Sequence, residues 1–352
     1  MNKIWIVDIE AVDTRYTGQW KTWIPKVIKN YADDNGFAFT VEVIEGTDNI
    51  PDATTPGAFL NFGGTNVYKS SQMMKIARMF STGSVTAGDV FLFTDAWNPT
   101  IIQLKYMSQL LNIPIKIHGL WHAGNYDKND FLGRLIKDEW VKNFELSLAQ
   151  AIDYNWFATN YHLDIFRRTY SNSNIHCALT GWPMEYLKDT IQYSKGKEDL
   201  ILFPHRIAPE KQVQIFRDLA EELPEYKFIV CQDEKLTKEE YHELLGKAKI
   251  VFSANLQETL GISCYEGALA GALPMVPDRL SYSEMYMPSF KYPSEWTESY
   301  ENYMVYKTDV VKMIRNWMSS YDDRAKDLHK LANKLETEFF SSSKLLKVLF
   351  NG

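Results

Sequence analysis

The sequence predicts an α/β protein with two domains, each built on a parallel sheet that helices cover. A chain of 352 residues is longer than one hydrophobic core usually serves. Short apolar runs typical of buried strands alternate with runs of helical periodicity from the N-terminus onward. This alternation indicates parallel sheets, because parallel strands are joined by crossover helices.

The first domain is predicted over residues 1–180. Its strand-like runs are KIWIVDI, AFTVEVI, AFLNF, DVFLFTD, IPIKIHGL, NWFATN and IHCALTG. Helical patterns lie between several of these runs. The segment that follows has the composition of a connection, so we place a linker at residues 181–198.

The second domain is predicted over residues 199–325. Its strand-like runs are DLILFPH, KFIVC, IVFSA and ALPMVP. A helix is expected over PEKQVQIFRDLAEEL, with one face formed by Val213, Phe216, Ala220 and Leu223. Another is expected over EEYHELLGKA. The last part of the chain is helical by pattern, and we expect residues 326–352 to form a helix that packs on the first domain.

Composition and charge narrow the functional class. Apolar residues make up 45% and the net charge is −7, which is typical of a globular protein without a general attraction to nucleic acid. Cys177, Cys231 and Cys264 form neither a disulfide pattern nor a metal motif. No apolar run reaches the roughly 20 residues of a membrane span. We therefore expect a cytoplasmic protein; its oligomeric state is left open.

A first candidate site lies in QETLGISCYEGALAGALP, residues 257–274. Glu258 and Glu266 are the charged residues of this small and apolar segment, between a predicted strand and a predicted helix. The N–H groups of Thr259, Leu260 and Gly261 would lie at the helix N-terminus, where phosphate binds well. Glu266 would accept hydrogen bonds from a ribose diol. The alternative is a helix cap at Glu258 and a solvated Glu266.

A second candidate lies in FPHRIAPEK, after the first strand of the second domain. Arg206 and Lys211 would neutralise a diphosphate there, and fixed cations stabilise a leaving diphosphate strongly. The alternative is a pair of solvated cations at a helix start.

Arg206-x4-Lys211 followed by Glu258-x7-Glu266 resembles the GT-B retaining glycosyltransferases, in particular the family 4 group. The likeness is close over residues 199–286 and only by pattern before them. It implies two Rossmann-like domains that face a central cleft, with C-terminal helices that cross back to the first domain. It also implies a nucleotide-sugar donor, expected to be a UDP-sugar, and no metal or other cofactor.

The resemblance also implies residue roles. Arg206 and Lys211 would bind the donor diphosphate, with the Leu260 and Gly261 amides on phosphate. Glu266 would bind the ribose, and Glu258 the hydroxyls of the transferred sugar. The implied mechanism is front-face attack, in which the leaving phosphate helps to take the acceptor proton.

The first domain carries IKIHGLWHAGNYDKND after a predicted strand. His122 looks like the family histidine that lies against the donor sugar, which makes it a catalytic candidate with Glu258, Arg206 and Lys211. His118 is nearer the strand and is expected in the core. A structural role for both histidines is the alternative.

Acceptor contacts are expected in the first domain. The family commonly has a glycine-rich turn after the first strand, but only Gly18 is present here. The candidate contacts are Arg15, Tyr16, Gly18, Trp20 and, from the later loop, Asp127. Trp23 is another candidate, with packing on the sheet as an equal alternative. The loop NFGGTN, residues 61–66, has glycines and is either a second cleft loop or a plain strand-ending turn.

The acceptor itself is inferred by likeness. The chain is similar to phage enzymes that glycosylate hydroxymethylated pyrimidines in DNA, which implies double-stranded DNA as partner and the infected host's cytoplasm as location. FPHR also looks like the queuosine-tRNA mannosyltransferases. The basic groups that could follow a phosphate backbone are Lys69 with Lys75 and Arg78, Arg134 with Lys137, and Arg167 with Arg168. Alternatives are a small-molecule, saccharide or tRNA acceptor, a GT-B epimerase, or a non-catalytic binding module.

Overall fold

The computed structural model describes residues 2–12, 15–47, 60–171 and 174–351. These residues divide into two compact units. Unit one comprises the described residues of Met1–Ala158, His162–Pro183 and Ser342–Gly352; unit two comprises Thr159–Tyr161 and Met184–Ser341.

Unit one contains a six-stranded parallel sheet with the order β2-β1-β3-β4-β5-β6. Its strands are β1 (Asn2–Val7), β2 (Phe39–Ile44), β3 (Val90–Phe93), β4 (Lys116–Leu120), β5 (Tyr154–Phe157) and β6 (Cys177–Leu179). The helices between them are α1 (Tyr16–Asn35), α2 (Phe62–Ser81), α3 (Thr100–Leu110), α4 (Phe131–Leu135), α5 (Glu139–Ala151) and α6 (Asn160–Thr169). All four residues of β3 are buried, as expected for a central strand covered on both faces.

The strand predicted at AFLNF is wrong in the part that the structure describes. Residues 58–59 lie outside the described residues, and Asn61 is the N-cap of α2, with its side chain accepting from the Gly64 N–H at 2.8 Å. NFGGTN is therefore the start of a helix and not a strand-ending turn. The Asn61 side chain accepts from a backbone N–H of the first helical turn, which favours the start of a helix. The apolar run AFLNF by itself therefore did not determine the structure.

Unit two contains a five-stranded parallel sheet with the order β11-β10-β9-β7-β8. Its strands are β7 (Glu198–Phe203), β8 (Lys227–Val230), β9 (Ala248–Phe252), β10 (Leu273–Pro277) and β11 (Lys291–Tyr292). Its helices are α7 (Leu187–Thr190), α8 (Val213–Glu222), α9 (Lys238–Lys247), α10 (Ile262–Ala270), α11 (Tyr282–Met285), α12 (Tyr300–Ser319), α13 (Tyr321–Ala325) and α14 (Leu328–Phe339). The two-residue strand β11 was not predicted because it is too short to show a period.

The helix predicted over residues 209–223 is interrupted. Pro209–Lys211 forms a 3₁₀ turn, and α8 begins only after Gln212, whose φ is +54°. The Gln212 side chain is buried and donates to the carbonyl oxygens of Ala254 and Thr297 at 2.6 and 2.7 Å. These contacts hold the left-handed residue in place. Of the predicted face, Phe216 and Leu223 are buried, whereas Val213 and Ala220 are partly exposed. Ile215 and Leu219, which were not predicted, are also buried on α8.

The C-terminal segment is shared between the units. Helix α14 packs on α10 in unit two, and just after it the Phe340 ring stacks on Tyr265 with 4.1 Å between ring centres. A last helix, α15 (Ser343–Asn351), belongs to unit one, where Phe350 stacks on Phe37 at 4.8 Å. The chain therefore returns to unit one from Ser342 onward.

Candidate functional site

The loop between β9 and α10 in unit two carries the first glutamate of the motif. Helix α10 begins after Gly261, whose φ is +75°. A Cβ atom on Gly261 would lie 2.7 Å from Cε1 of Tyr282, so only glycine fits this turn without displacing the ring. The sequence thus brings the loop tightly against α11 just before the helix starts.

The Glu258 carboxylate is held by several donors from its own unit. Its Oε1 accepts from the Gly261 N–H at 2.9 Å, and its Oε2 from Lys211 Nζ and Asn255 Nδ2, both at 3.2 Å. Burial is the largest single influence and raises the pKa of Glu258, but the Lys211 ammonium, His205 and the hydrogen bonds from Lys211 and the Gly261 N–H together lower the pKa overall. Glu258 is therefore a partly buried, ionised carboxylate at neutral pH.

Two of the predicted phosphate-binding amides have a different partner. The Gly261 N–H donates to Glu258, and the Leu260 N–H lies 3.5 Å from the same carboxylate oxygen. Thr259 is buried. Amides for an anion would then come from the first turn of α10, because an α-helix leaves its first N–H groups without intrahelical acceptors.

The two predicted cations are anchored differently. Lys211 is buried, and its ammonium donates to the Gln257 carbonyl oxygen at 2.6 Å as well as to Glu258. Arg206 is one-third exposed and pairs with Glu210, whose side chain is only 2% exposed. The structure thus joins Lys211 to Glu258 directly. Glu210, which fixes Arg206, was missed because acidic residues near a helix start are common in any sequence.

Glu266 lies on the second turn of α10 and is partly buried. Its carboxyl group accepts from the Tyr241 hydroxyl at 3.0 Å. Burial raises its pKa to about 7. The pKa values of Glu266 and Glu258 are thus shifted in opposite directions, although both residues belong to one short motif. Tyr241 comes from α9, and no local pattern links it to the motif.

The loop before Glu258 is braced by Arg279. Its guanidinium donates to the carbonyl oxygens of Asn255 and Ala254 at 2.7 and 2.8 Å. Asn255 in turn donates to the Tyr282 hydroxyl at 3.0 Å and to Glu258. Arg279, Asn255 and Tyr282 therefore orient the carboxylate, and sequence reasoning found none of them. All three are polar side chains that are buried or partly buried, and the sequence does not show which polar side chains are buried.

In unit one, His122 lies among aromatic side chains at the carboxyl end of β4. Its Nε2 atom is 2.7 Å from the Thr94 carbonyl oxygen, and its Nδ1 atom is 2.8 Å from the Tyr16 hydroxyl. Trp20 and Trp182 pack against the ring. Burial lowers the pKa of His122, while Asp95 acts in the opposite direction. His122 is thus neutral at pH 7, and both of its ring nitrogens form hydrogen bonds with groups of unit one.

His118 is a core residue, as its position near the strand suggested. It lies in β4, is fully buried, and stacks on Tyr154 with 4.6 Å between ring centres. Burial lowers its pKa to about 3.

The predicted acceptor contacts fall into exposed and buried groups. Arg15 precedes α1, with its guanidinium 5.7 Å from the Tyr16 ring centre, and Gly18 lies in the first turn; all three are partly exposed. Trp20 is only 2% exposed and Asp127 only 7%. Trp20 belongs to the aromatic packing around His122, and Asp127 accepts from the Asn129 N–H at 3.0 Å within its own turn. A direct contact of either side chain with an acceptor would therefore disturb the packing of Trp20 or the hydrogen bond of Asp127.

Two of the three basic residues of α2, Lys69 and Lys75, are engaged inside unit one. Lys69 pairs with Asp95 at 3.0 Å and donates to the Trp97 carbonyl oxygen at 2.9 Å. Lys75 donates to the Glu45 carbonyl oxygen at 2.6 Å. The Lys69 ammonium lowers the pKa of Asp95 against the effect of burial. Asp95, an ionised carboxylate beside His122, was not singled out in the sequence.

Within the described ranges, no group of three or more His, Cys, Asp or Glu side chains is arranged to hold a metal ion. None of the helices described is long and apolar enough to span a membrane.

Comparison with known proteins gives likeness only at the level of structure. Neither a protein-family profile nor a curated protein sequence matches the chain. Among solved structures, the pneumococcal O-GlcNAc transferase GtfA in complex with UDP and GlcNAc has a TM-score of 0.55 at 12% identity, over 81% of this chain and 59% of that one. Sucrose-phosphate synthase from Thermosynechococcus elongatus has a TM-score of 0.62 at 11% identity, over 100% and 98%.

A third similar structure is Anabaena HepE in complex with UDP and glucose, with a TM-score of 0.62 at 11% identity over 100% of this chain and 99% of that one. This chain spans about three fifths of the length of GtfA but nearly the whole of the other two. At such low identities the likeness concerns the fold. Two α/β units with parallel sheets, matched by these glycosyltransferase structures, give this protein the GT-B fold.

Proposed function

We propose that the protein is a retaining, metal-independent glycosyltransferase that moves a sugar from a UDP-sugar to an acceptor hydroxyl. The observation that carries the proposal is the partly buried Glu258–Lys211 pair beside the N-terminus of α10. A buried charge pair costs desolvation energy and adds little net stability, so a role in ligand binding accounts for it better than stability does.

The proposed donor site divides its tasks among the residues of unit two. Lys211, Arg206 and the first-turn amides of α10 would bind the diphosphate and stabilise the negative charge that grows on it as the glycosidic bond breaks. Glu258, ionised and fixed by Asn255, would accept hydrogen bonds from hydroxyls of the transferred sugar. Glu266 would accept from the ribose. No protein carboxylate serves as a nucleophile in this mechanism.

UDP is the nucleotide that we propose. GtfA was solved with UDP and GlcNAc, and HepE with UDP and glucose. Those ligands belong to those proteins, and they support a UDP-sugar as the first donor to be tested here.

For the acceptor we propose the hydroxyl of a 5-hydroxymethylated pyrimidine in double-stranded DNA. The partly exposed candidates Arg15 and Tyr16 would contact this hydroxyl. Mass spectrometry of nucleosides, after incubation of such DNA with UDP-sugars, should find an added sugar. If only small molecules, saccharides or tRNA are modified, the acceptor assignment is wrong and the donor assignment stands. Conversion of a UDP-sugar without any acceptor would instead indicate an epimerase.

The donor assignment is tested with Lys211→Met. Removal of the ammonium should abolish both the thermal stabilisation by UDP and sugar transfer, because ligand binding stabilises the native state by mass action. Lys249→Met is the matched control, since Lys249 also forms an ion pair, with Asp199 at 2.6 Å, at the opposite end of β9. Retained UDP stabilisation in folded Lys211→Met protein would rule out the proposed donor site.

A further inference from the structure

Hydrogen bonding fixes the proton positions around His122. A carbonyl oxygen only accepts hydrogen bonds, so the Nε2 atom that lies 2.7 Å from the Thr94 carbonyl oxygen carries a proton. In the neutral ring Nδ1 is then an acceptor. The Tyr16 hydroxyl, 2.8 Å from Nδ1, must therefore donate to it.

The surroundings keep this ring neutral. Burial lowers the pKa of His122 most, and Arg15 and Lys69 lower it further, whereas Asp95 raises it. His162, another imidazole near this ring, has a pKa lowered to about 3 by burial and so adds no charge at neutral pH. The direction of the Tyr16 hydrogen bond is thus set across the neutral pH range.

The ring is also fixed in orientation. Trp20 meets it edge-on at 84° with 5.6 Å between ring centres, and Trp182 lies at 4.5 Å. Both tryptophans are almost fully buried, while Tyr16 and His122 are partly exposed. Both ring nitrogens of His122 already take part in hydrogen bonds, whereas the Tyr16 oxygen can accept a hydrogen bond as well as donate one.

We propose that His122 is a positioning residue and that Tyr16 is the group that meets substrate, accepting a hydrogen bond from a substrate hydroxyl. Because the hydroxyl already donates its proton to Nδ1, the phenol oxygen can only accept a further hydrogen bond. Such a site selects a hydroxyl and rejects a fluorine or methoxy group in its place, because neither can donate. This inference rests on the proposed function, which supplies the hydroxyl-bearing sugar or acceptor.

The first test needs no activity. Two-dimensional ¹⁵N NMR of histidine-labelled protein should find His122 as the Nε2–H tautomer. Tyr16→Phe should raise the pKa of His122, because it removes a donor that stabilises only the neutral ring. Tyr31→Phe, in the same helix but next to Phe37, is the matched control and should leave that pKa unchanged.

The second test measures release of UDP as glucose passes from UDP-glucose to double-stranded DNA that bears a 5-hydroxymethylated pyrimidine. Tyr16→Phe and His122→Ala should each lower kcat/KM about tenfold, which corresponds to the loss of one hydrogen bond. The kcat/KM of the double variant should be no lower than that of either single variant. His122→Gln should retain most of the activity, because a glutamine side chain can both donate to Thr94 and accept from Tyr16.

The outcomes separate the inference from the proposed function. An Nδ1–H tautomer, or an unchanged His122 pKa in Tyr16→Phe, overturns the inference whatever the activity is. If His122→Gln loses as much as His122→Ala while Tyr16→Phe stays fully active, the imidazole itself meets substrate and the inference is wrong. If no UDP-sugar is turned over but the NMR results are as expected, the proposed function fails and the positioning of Tyr16 by His122 stands.

Discussion

The two glutamates of the β9–α10 motif have the same side chain, but their surroundings shift its pKa in opposite directions. The pKa of Glu258 is lowered by Lys211 against the effect of burial, whereas burial raises the pKa of Glu266 to about 7. One is therefore ionised at neutral pH, and the other titrates there. This difference gives each residue its own test.

We expect UDP affinity to fall as the pH drops below about 7. A ribose diol donates to the ionised form of Glu266, so binding below its pKa of about 7 requires loss of a proton. Calorimetric titration of UDP between pH 5.5 and 8 measures this, and Glu266→Gln should remove the part due to Glu266. Any part due to the phosphate, whose own pKa is about 6, should persist in both proteins. An identical pH dependence in the variant would exclude the ribose role.

Glu258→Gln should lower sugar transfer roughly 10- to 100-fold, the worth of hydrogen bonds to a charged group, while UDP affinity stays close to that of the wild type. Glu258 is assigned to the sugar and not to the nucleotide, so the two readouts should separate. Glu298→Gln is the control, since Glu298 is an exposed glutamate of the same unit. Equal losses in transfer and UDP binding would contradict the assignment.

At the scale of elements, α10 depends on the residue before it. Gly261 has a left-handed backbone and lies against the Tyr282 ring. Gly261→Ala should destabilise the protein by about 1–3 kcal/mol and lower transfer, because the turn that presents Glu258 must shift. Urea unfolding measures the first effect. Gly196→Ala, where an added Cβ meets no atom closer than 4.0 Å, should be nearly neutral.

Element prediction succeeded where periodicity was strong. The runs that became β1, β3, β7 and β9 are apolar over most of their length, so the run of apolar residues alone identifies them. It failed where a single polar side chain decided the outcome. Asn61 capped a helix in place of a strand, and Gln212 ended a 3₁₀ turn by bonding to carbonyl groups of distant loops.

At the scale of the whole molecule, the last helix completes unit one. Leu345, Leu346 and Leu349 of α15 are nearly fully buried. Leu346→Ala should therefore destabilise the protein by about 2–5 kcal/mol, as expected for a buried leucine. Leu110→Ala, at a leucine that is 67% exposed in α3, should change stability by less than about 0.5 kcal/mol. Equal midpoints of urea unfolding for the two variants would argue against a structural role for α15.

The sequence by itself determined the fold class of this protein and supplied the motif that we propose for the donor site. Alternating strand and helix periods express local burial, and Arg206, Lys211, Glu258 and Glu266 keep a recognisable spacing along the chain. Only the tertiary structure decided which groups these residues contact. Tyr16 and His122 are 106 positions apart and Lys211 and Glu258 are 47 apart, yet each pair is in hydrogen-bond contact. Such contacts depend on how loops at the ends of different strands meet, and local periodicity carries no information about that.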